Sequence, residues 1–509
     1  MAHWDEGYVT NLAYADTFLR EATPSWLAMI ALLRGQNPPD LGGSFTYADL
    51  GCGTGFTATV VAATMPLAQV WGFDFNPAHI ETASRLAGSA GLSNVHFSEA
   101  TFAELAALPD SALPAFDFVI CHGVLTHVSP ENRRLIGELI RRWLKPGGLA
   151  YLGYNTAVGW AGMEPVRRLM RMLTRTDTGT PTVASAALRD QLGPLRAAGA
   201  AYLAAHPGIA ARIDDLQNQD PRYVVHEYLG SAGHPLMFAD VADAMEAAGC
   251  DFIGSATLMD NIDAFSLPPD CVPLVAGIGN VRLQETLRDF ARAQAFRRDV
   301  YRRGHAPLSE PERALRLQAL PLLSLGWPAD RPVLAKTAIG TIRASEPLCR
   351  PMLQAAAAGS TTLGALLAAR GRYSAEDALQ VAMLLIAAGC LSSAVPGGLS
   401  SLAGSRSEAL NRRLIHAAVQ GSGLTQLVAP AIGAALGSDL LEMLLVQLML
   451  DGETRPEVLT GSLCDQLVRP DSWPQSGSQG DHRQQIGALT EFALRERVPV
   501  LRRLGVLAA

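Results

Sequence analysis

The chain has few cysteines and few charged residues for its length, and no long uninterrupted apolar run. Its seven cysteines are an odd number, and no two form a Cys-x-x-Cys pair. We therefore expect neither a disulfide framework nor a metal site such as zinc, and a reducing compartment, the cytoplasm, fits this composition. The most apolar late stretch, Val428–Leu450, is interrupted by Pro430, Asp439 and Glu442. It predicts a buried or amphipathic helix and no insertion into a membrane.

The C-terminal part also lacks a basic run, and the whole chain has a net charge of −7. Both features argue against a nucleic-acid partner. The first six residues are acidic and contain no apolar segment, so we expect no signal peptide there. Because 49% of the residues are apolar and 17% are charged, a disordered chain is excluded. The length of 509 residues suggests about three domains.

Residues 45–154 alternate between strand and helix patterns. Short apolar segments predict five strands, at Phe45–Leu50, Gln69–Asp74, Val95–Ser98, Phe116–Cys121 and Leu149–Tyr154. Amphipathic patterns between them predict helices near 56–64, 77–90 and 131–144, and Lys145-Pro146-Gly147-Gly148 is expected to stop the last helix. Alternation of this kind predicts a doubly wound parallel sheet of the α/β class.

The remainder of the chain is mostly helical in pattern. Strand signals disappear over 156–235 and return at Phe252–Ala256 and Arg297–Arg303. Beyond residue 310, Ala- and Leu-rich helix patterns dominate, as at Ala375–Gly389. We therefore predict four segments: an α/β core over 1–155, a helical insertion over 156–235, a region over 236–309 that completes the sheet, and a mostly helical C-terminal region over 310–509.

The motif DLGCGTG, residues 49–55, is the clearest sign of chemistry, since it follows a strand and opens a helix. Glycine has no Cβ atom, so Gly51, Gly53 and Gly55 allow a sharp turn and the close approach of a ligand. Asp74 ends the next predicted strand, where a carboxylate can bind ribose hydroxyls. The combination predicts a cofactor site, and a tight turn without a ligand is the alternative.

Two classes of cofactor use a glycine-rich turn of this kind. A dinucleotide site needs a small residue where this chain has Phe56, and it needs the helix N-terminus free for a pyrophosphate. Asp49 instead puts a carboxylate near the turn. A carboxylate suits a cationic ligand with an amino group, such as S-adenosylmethionine. The residues therefore favour S-adenosylmethionine over a dinucleotide.

Further segments show a resemblance to a known family. Together with DLGCGTG, the segments GFDFNP (72–77), FDFVICHG (116–123) and LKPGG (144–148) resemble the motifs of class I S-adenosylmethionine-dependent methyltransferases. WDEGYVTNLAY (4–14), HVSPENRR (127–134), GYNTAVGW (153–160) and YVVHEYLG (223–230) look like bacterial methyltransferases with a methyltransferase regulatory domain. That group includes rickettsial protein lysine methyltransferases. FALRERVPVLRRLGVL (492–507) resembles their winged-helix-like C-terminal part.

This resemblance implies a set of cofactor contacts. Asp49 and the glycine loop would surround the methionine part, Asp74 would bind the ribose hydroxyls, and Phe75 and Asn76 would flank the ribose and adenine. Phe102 would pack on the adenine ring or belong to the core. The complete predicted set is Tyr8, Tyr14, Asp49, Gly51, Cys52, Gly53, Gly55, Asp74, Phe75, Asn76, Ala100, Thr101, Phe102 and His122.

The resemblance implies that the ends of the fourth and fifth predicted strands form the side of the site that binds the methyl acceptor. His122 would act as a general base or as a positioning residue, and Tyr154 and Asn155 would lie at the rim of the cleft. We interpret His127 as a packing residue. His226 and Glu227 belong to a capped helix in our interpretation, and the substrate side of the site is the alternative.

Tyr8 and Tyr14 lie before the predicted sheet, in a segment that folds over the cofactor in this class of enzyme. Their hydroxyls would hold the methionine carboxylate or line a lysine channel. The alternative is that both belong to an apolar cluster outside the site.

The resemblance implies an enzyme that transfers a methyl group from S-adenosylmethionine to a lysine side chain of a protein, with S-adenosylhomocysteine as the product. Two alternatives stay open at this point. One is methylation of a small molecule on oxygen or nitrogen, and the other is a regulatory protein that binds the cofactor without transfer. The sequence also leaves open whether two copies of the chain form a homodimer.

Overall fold

The computed structural model describes residues 17–174, 190–229, 233–304, 307–328, 331–357, 359–467 and 479–508. Within these ranges, no helix is both long enough and apolar enough to cross a membrane. Tyr8 and Tyr14, which we predicted to cover the cofactor, lie outside the described residues.

A seven-stranded sheet with the order β3-β2-β1-β4-β5-β7-β6 forms the centre of the N-terminal part. The strands β3, β2, β1, β4 and β5 are parallel, whereas β7 is antiparallel to both β5 and β6. The predicted Rossmann-like, doubly wound sheet is thereby confirmed. Its strands are β1 Phe45–Leu50, β2 Ala68–Asp74, β3 Val95–Glu99, β4 Phe116–His122, β5 Leu144–Asn155, β6 Cys250–Ser255 and β7 Phe296–Arg303.

Helices connect the parallel strands. They are α1 Pro24–Leu33, which precedes β1, and then α2 Phe56–Thr64, α3 Pro77–Ser89, α4 Phe102–Ala107 and α5 Pro130–Trp143. In α5, Ser129 accepts a hydrogen bond from the Asn132 amide, and Pro130 occupies the first turn, where its missing N–H costs nothing. The predicted apolar stripe of α5 is buried, because Ile136, Leu139 and its neighbours pack against the sheet. This packing fixes the loop that follows β4 against the sheet edge.

Strand β5 begins earlier than the sequence predicted. Helix α5 ends at Trp143, and Leu144 already pairs with Phe116 of β4. The segment Lys145-Pro146-Gly147-Gly148 therefore belongs to the strand itself, with an irregular register between Phe116 and Phe118. The pairing is long-range, so local stop signals for the helix did not show it.

The chain between β5 and β7 is largely helical. Residues 190–197 are helical, and the other helical segments are Ala157–Trp160, Glu164–Thr174, Ala201–Ala205, Pro207–Asp215, Leu216–Asn218, Pro221–Val224, Val225–Leu229, Phe238–Ala247, Leu258–Asn261, Asp263–Ser266, Pro269–Cys271, Val272–Ala276 and Val281–Arg292. One of them is unusual, because Val225–Leu229 forms a π-helical turn. A π-helical turn is rare and often lies at a functional site.

The C-terminal region is mainly helical, as predicted, but it also contains three small sheets. The helical segments are Glu310–Ala319, Glu346–Ala357, Leu363–Ala368, Ala375–Ala387, Ser401–Val419, Pro430–Ile432, Leu440–Leu450, Pro456–Leu467, Gln479–Phe492, Ala493–Arg497 and Val498–Arg503. The strands are Pro321–Ser324, Leu334–Thr337, Gly340–Arg343, Ser360–Thr362, Leu391–Ser393, Gln426–Ala429 and Ala434–Gly437. The helical character of this region is confirmed, and its winged-helix-like character stays a prediction.

Two hydrophobic cores join the C-terminal region to the sheet domain. In one, Trp26 and Val61 share a cluster with Leu385. In the other, Phe56 and Val60 of α2 share a cluster with C-terminal residues that include Leu414 and Val428. Helix α2 is therefore covered by the sheet on one side and by the C-terminal region on the other.

Candidate active site

The glycine-rich loop between β1 and α2 adopts the turn that the motif predicts. Gly53 and Gly55 have φ angles of 55° and 68°, in the left-handed region that favours glycine. A Cβ atom on Gly55 would lie 2.6 Å from Ala83 and from the Phe97 ring, whereas a Cβ atom on Gly53 would meet no atom within 4 Å. Gly55 is thus needed for packing, while Gly53 faces open space that a ligand can fill.

Asp74 at the end of β2 organises this loop. Its carboxylate accepts hydrogen bonds of 2.9 Å from the backbone amides of Gly53 and Asn76, and it lies 3.2 Å from Nδ1 of His79. Asn76 caps α3 by accepting from the Ala78 amide. The sequence analysis did not identify His79. This residue lies in the first turn of α3, shortly after Asp74 at the end of β2. The acid, the loop and the start of α3 therefore form one connected unit.

Asp49 at the end of β1 is a buried carboxylic acid, 7% exposed. Burial and the neighbouring Asp74 raise its pKa to about 7. Within the described part of the chain, no hydrogen bond or ion pair is formed by its side chain. An acid in this setting is suited to a cationic group of a ligand, which would restore the charged form of the carboxylate.

Residues 100–102, which follow β3, have mostly structural partners. The Ala100 amide donates to the Asp74 carbonyl oxygen, and Thr101 caps α4 through a reciprocal pair of bonds with Glu104. Phe102 is half-buried and packs against the sheet core. The Cys52 side chain contributes only a weak contact to the Gly53 carbonyl, and burial keeps its pKa well above the usual value.

His122 ends β4 at the same edge of the sheet as Asp49. Its Nδ1 atom lies 2.8 Å from the hydroxyl of Tyr151, and its ring packs 5.2 Å from the ring of Phe296. Burial and the Arg298 cation lower the pKa of His122 to about 3, which outweighs the opposing effect of Glu227. The imidazole is therefore neutral at physiological pH and has little basicity.

Tyr154 does not line the open cleft. Its side chain has no exposed surface, and its hydroxyl donates a 2.6 Å hydrogen bond to Asp299, which in turn pairs with Arg297. Burial and Asp299 keep the pKa of Tyr154 well above its ordinary value. This position differs from the predicted one at the rim, and it makes Tyr154 a support for the end of β5.

Asn155 belongs to a polar cluster that the sequence analysis missed. Its amide side chain donates to Oε1 of Glu227, and its backbone N–H donates to the Thr126 hydroxyl at 2.9 Å. His127 places Nε2 3.4 Å from Oε2 of Glu227. The cluster connects the ends of β4 and β5 with the π-helical turn.

Glu227 is 6% exposed and anionic. Burial by itself would raise its pKa, but the hydrogen bonds from His127 and Asn155 and the more distant Arg167 outweigh that effect and lower it. The signal in the sequence is the polar pair His226-Glu227 within YVVHEYLG. Of the two interpretations that the sequence allows, a capped helix and the substrate side, neither specifies these partners.

The geometry of the glycine loop and of Asp49 fits S-adenosylmethionine. Open space beside Gly53 and a buried acid without a cation are the features that a ligand with an amino group requires. In the described ranges, no group of three or more His, Cys, Asp or Glu side chains could hold a metal ion.

Comparison with known proteins identifies two families. The family described as a methyltransferase domain matches residues 48–148, and the family described as a predicted methyltransferase regulatory domain matches residues 220–303. An uncharacterised protein of Synechocystis sp. is 28% identical over 517 residues, which cover 99% of both chains. An uncharacterised protein of Rickettsia prowazekii is 33% identical over 147 residues, which cover 29% of this chain and 57% of the relative.

A solved structure has the same fold. It is PKMT2 from Rickettsia typhi in complex with AdoHcy, with a TM-score of 0.72 and 19% identity, and the match covers 95% of this chain and 99% of that chain. These matches confirm the resemblance to class I S-adenosylmethionine-dependent methyltransferases with a regulatory domain. The chain contains a methyltransferase domain, and its fold supports S-adenosylmethionine as the cofactor.

Proposed function

We propose that this methyltransferase transfers its methyl group to the side-chain amine of a lysine residue in a protein. The observation that supports an amine acceptor is the setting of His122, which leaves no effective base at the end of β4. A hydroxyl acceptor needs a base to remove its proton, whereas a neutral amine has its own lone pair. The resemblance to rickettsial protein lysine methyltransferases and the full-length similarity to PKMT2 support a protein substrate.

Three residues would hold the cofactor, which supplies an electrophilic methyl group on a sulfonium. Asp49 would form an ion pair with the amino group of the cofactor. Asp74 would accept hydrogen bonds from the ribose hydroxyls in addition to the hydrogen bond from the Gly53 amide. Phe102, half-buried at the start of α4, would pack on the adenine. Asp49 and Asp74 are both buried, so their hydrogen bonds to a ligand would be shielded from water and stronger than at the surface.

The acceptor side would position the amine and exclude water. Tyr151 and Phe296 pack on either side of the His122 ring, and this apolar setting disfavours a charged amine. Once the amine has lost its proton to solvent, its nitrogen forms the new bond to the methyl carbon as the carbon–sulfur bond breaks. The leaving group is neutral, so alignment and desolvation are the main tasks of these residues.

The proposal is tested with S-adenosylmethionine labelled on its methyl group. The purified protein is incubated with a bacterial lysate split into macromolecular and small-molecule fractions. We expect label in discrete, protease-sensitive bands, and methylated lysine after acid hydrolysis of those bands. The matched control is the Asp74→Ala variant at the same concentration, which should transfer little label.

Other outcomes would reject the proposal in different ways. Label confined to the small-molecule fraction would identify a metabolite as the acceptor. Label on protein residues other than lysine would exclude the lysine acceptor but keep the protein substrate. Cofactor binding without any labelled product would indicate a regulatory protein.

A further inference from the structure

We infer that Glu227, which lies in the regulatory region, is the anion that binds the ammonium group of the methyl acceptor. The inference rests on the proposed function, because it requires an amine as the acceptor. It gives the regulatory region a direct part in substrate binding, which its family description does not include.

The position of Glu227 is the first argument. Its carboxylate accepts a hydrogen bond from the side chain of Asn155 at the end of β5. The backbone N–H of Asn155 in turn donates a hydrogen bond to Thr126, shortly after β4. His122 ends β4 at the same edge. In doubly wound sheets, ligands bind outside the carboxyl ends of the strands. Glu227 therefore lies at the edge where an acceptor must meet the cofactor.

The missing counter-charge is the second argument. Three buried acids near the end of the sheet share one arginine partner, since Arg297 lies 2.6 Å from Asp289, 2.8 Å from Glu285 and 2.8 Å from Asp299. Among the residues with described positions, no arginine or lysine forms an ion pair with Glu227, and His127 pairs with it as a cation only when the imidazole is protonated. Buried carboxylates are ordinarily paired with a cation, so an ammonium would give Glu227 a permanently charged partner.

The positive charge of Arg167 acts on Glu227 and lowers the pKa of its carboxyl. Arg167 is buried, and its Nη1 atom donates to Glu164 and to the Gly233 carbonyl oxygen, both at 3.1 Å. The direct partners of Glu227 are the Asn155 amide and the His127 imidazole, and the imidazole carries a positive charge only when it is protonated.

The local backbone explains how Glu227 reaches this position. It lies in the middle of the π-helical turn Val225–Leu229, directly after the short helix Pro221–Val224. A π-helical turn has a wider repeat than an α-helix, so it changes the direction in which the following side chains point. The carboxylate thereby meets Asn155 while the same turn stays attached to the helical insertion.

An ion pair with Glu227 favours the charged form of the amine, so its effect belongs to binding and not to the transfer step. The proton must leave before the nitrogen attacks. Loss of the carboxylate should therefore raise the KM for the acceptor without lowering kcat. A purely structural role of Glu227 would instead lower kcat.

The direct test measures binding without any transfer. The full-length protein is saturated with S-adenosylhomocysteine and titrated with n-butylammonium, which mimics the lysine side chain, or with 1-butanol, its neutral counterpart. Ligand-observed NMR gives both affinities. We expect the wild type to prefer the ammonium by about tenfold or more, and Glu227→Gln to lose that preference. Glu227→Asp, which keeps the charge, should retain part of it.

The control variant is Glu246→Gln, which changes an exposed glutamate of the helix Phe238–Ala247. It should bind both probes like the wild type. S-adenosylhomocysteine affinity should be equal in all variants, which shows that the fold is intact. Equal ammonium affinity in the wild type and Glu227→Gln, or no ammonium preference in the wild type, would overturn the inference. Because no methyl transfer is measured, this result is independent of the labelling experiment that tests the acceptor.

Discussion

We expect Asp49 to make cofactor binding dependent on pH. In the free enzyme its pKa is raised to about 7, so below that pH the carboxyl holds a proton that a cationic ligand must displace. We expect the affinity for S-adenosylmethionine to fall as the pH decreases from 7 to 5, by up to about tenfold per pH unit for one displaced proton. Above pH 7 the carboxylate is already charged and the dependence should flatten. Calorimetric titration across this range measures the slope.

The Asp49→Asn variant is the control for that slope. Asparagine has nearly the same shape as aspartate but no carboxyl group that titrates. The affinity of this variant for S-adenosylmethionine should therefore be weak and nearly constant at every pH. If the variant kept the slope of the wild type, another group would be responsible. Asp74, which lies beside Asp49 and interacts with it, would then be the first residue to examine.

Asp74 should matter both for the cofactor and for the loop that holds it. Asp74→Ala removes the acceptor of the Gly53 and Asn76 amides. We expect the affinity for S-adenosylmethionine to fall by about tenfold or more, and the free energy of unfolding to fall by about 1–3 kcal/mol. Calorimetry and urea unfolding measure the two effects. Unchanged cofactor affinity would contradict the proposed ribose contact.

The positions of Asp49 and Asp74 in the fold were predictable from sequence, but their partners were not. Both acids follow a strand pattern beside a glycine motif, and the structure places them near the ends of β1 and β2. His79 and Glu227 reach the site through the helix α3 and a π-helical turn, and no local pattern shows where such side chains point. Tyr154 lies on a central strand buried on both faces, so alternation could not tell which face it occupies.

At the scale of elements, the turn between β1 and α2 offers a matched pair of variants. Gly53→Ala and Gly55→Ala both place a side chain at a left-handed φ, which costs about 1–2 kcal/mol. Gly55→Ala adds a clash with Ala83 and Phe97, so it should be much less stable. Gly53→Ala should fold but bind S-adenosylmethionine more weakly, because the added Cβ atom would occupy the open space that we assign to the ligand. Thermal unfolding and calorimetry separate these effects.

Equal thermal stability of the two glycine variants would show that the contacts around Gly55 relax easily. Wild-type cofactor affinity in Gly53→Ala would show that the open space beside this residue is not the ligand site. In either case the assignment of separate roles to the two glycines would be wrong.

Elements with a strong local pattern were predicted almost to the residue, as β1 and α2 show. Helix α4 was missed because it has only six residues, although Thr101 and Glu104 form a capping box. The start of β5 depends on pairing with β4, more than twenty residues earlier, so the sequence placed it too late. Local signals predict an element well only where no distant partner decides its limits.

At the scale of the whole molecule, the C-terminal region is part of the core that supports the cofactor loop. Phe56 and Val60 of α2 are buried against it. Removing residues 310–509 should therefore expose apolar side chains of α2 and α1, each of which contributes about 1.5–3 kcal/mol when buried. We expect the truncated chain to unfold at a lower temperature and to aggregate. Circular dichroism and light scattering measure both.

Two substitutions in the full chain provide a finer test of this shared core. Val60 has no exposed surface, whereas Val419 is 45% exposed at the end of a C-terminal helix. Val60→Ala should lower the free energy of unfolding by about 1–3 kcal/mol, and Val419→Ala should have little effect. A truncated chain that melts cooperatively at the wild-type temperature would show instead that the region over 310–509 is an independent unit and would support our proposed division at residue 309.

The burial of α2 on both sides has a consequence for the chain while it is being synthesised on the ribosome. The helix is synthesised early, but the side chains that cover its outer face, such as Leu414 and Val428, follow several hundred residues later. At roughly 5–20 residues per second, that interval lasts tens of seconds. During this time the nascent sheet domain presents an uncovered apolar helix beside its cofactor loop. Early occupation of that loop by S-adenosylmethionine, or protection by a chaperone, would keep the unfinished chain from aggregating.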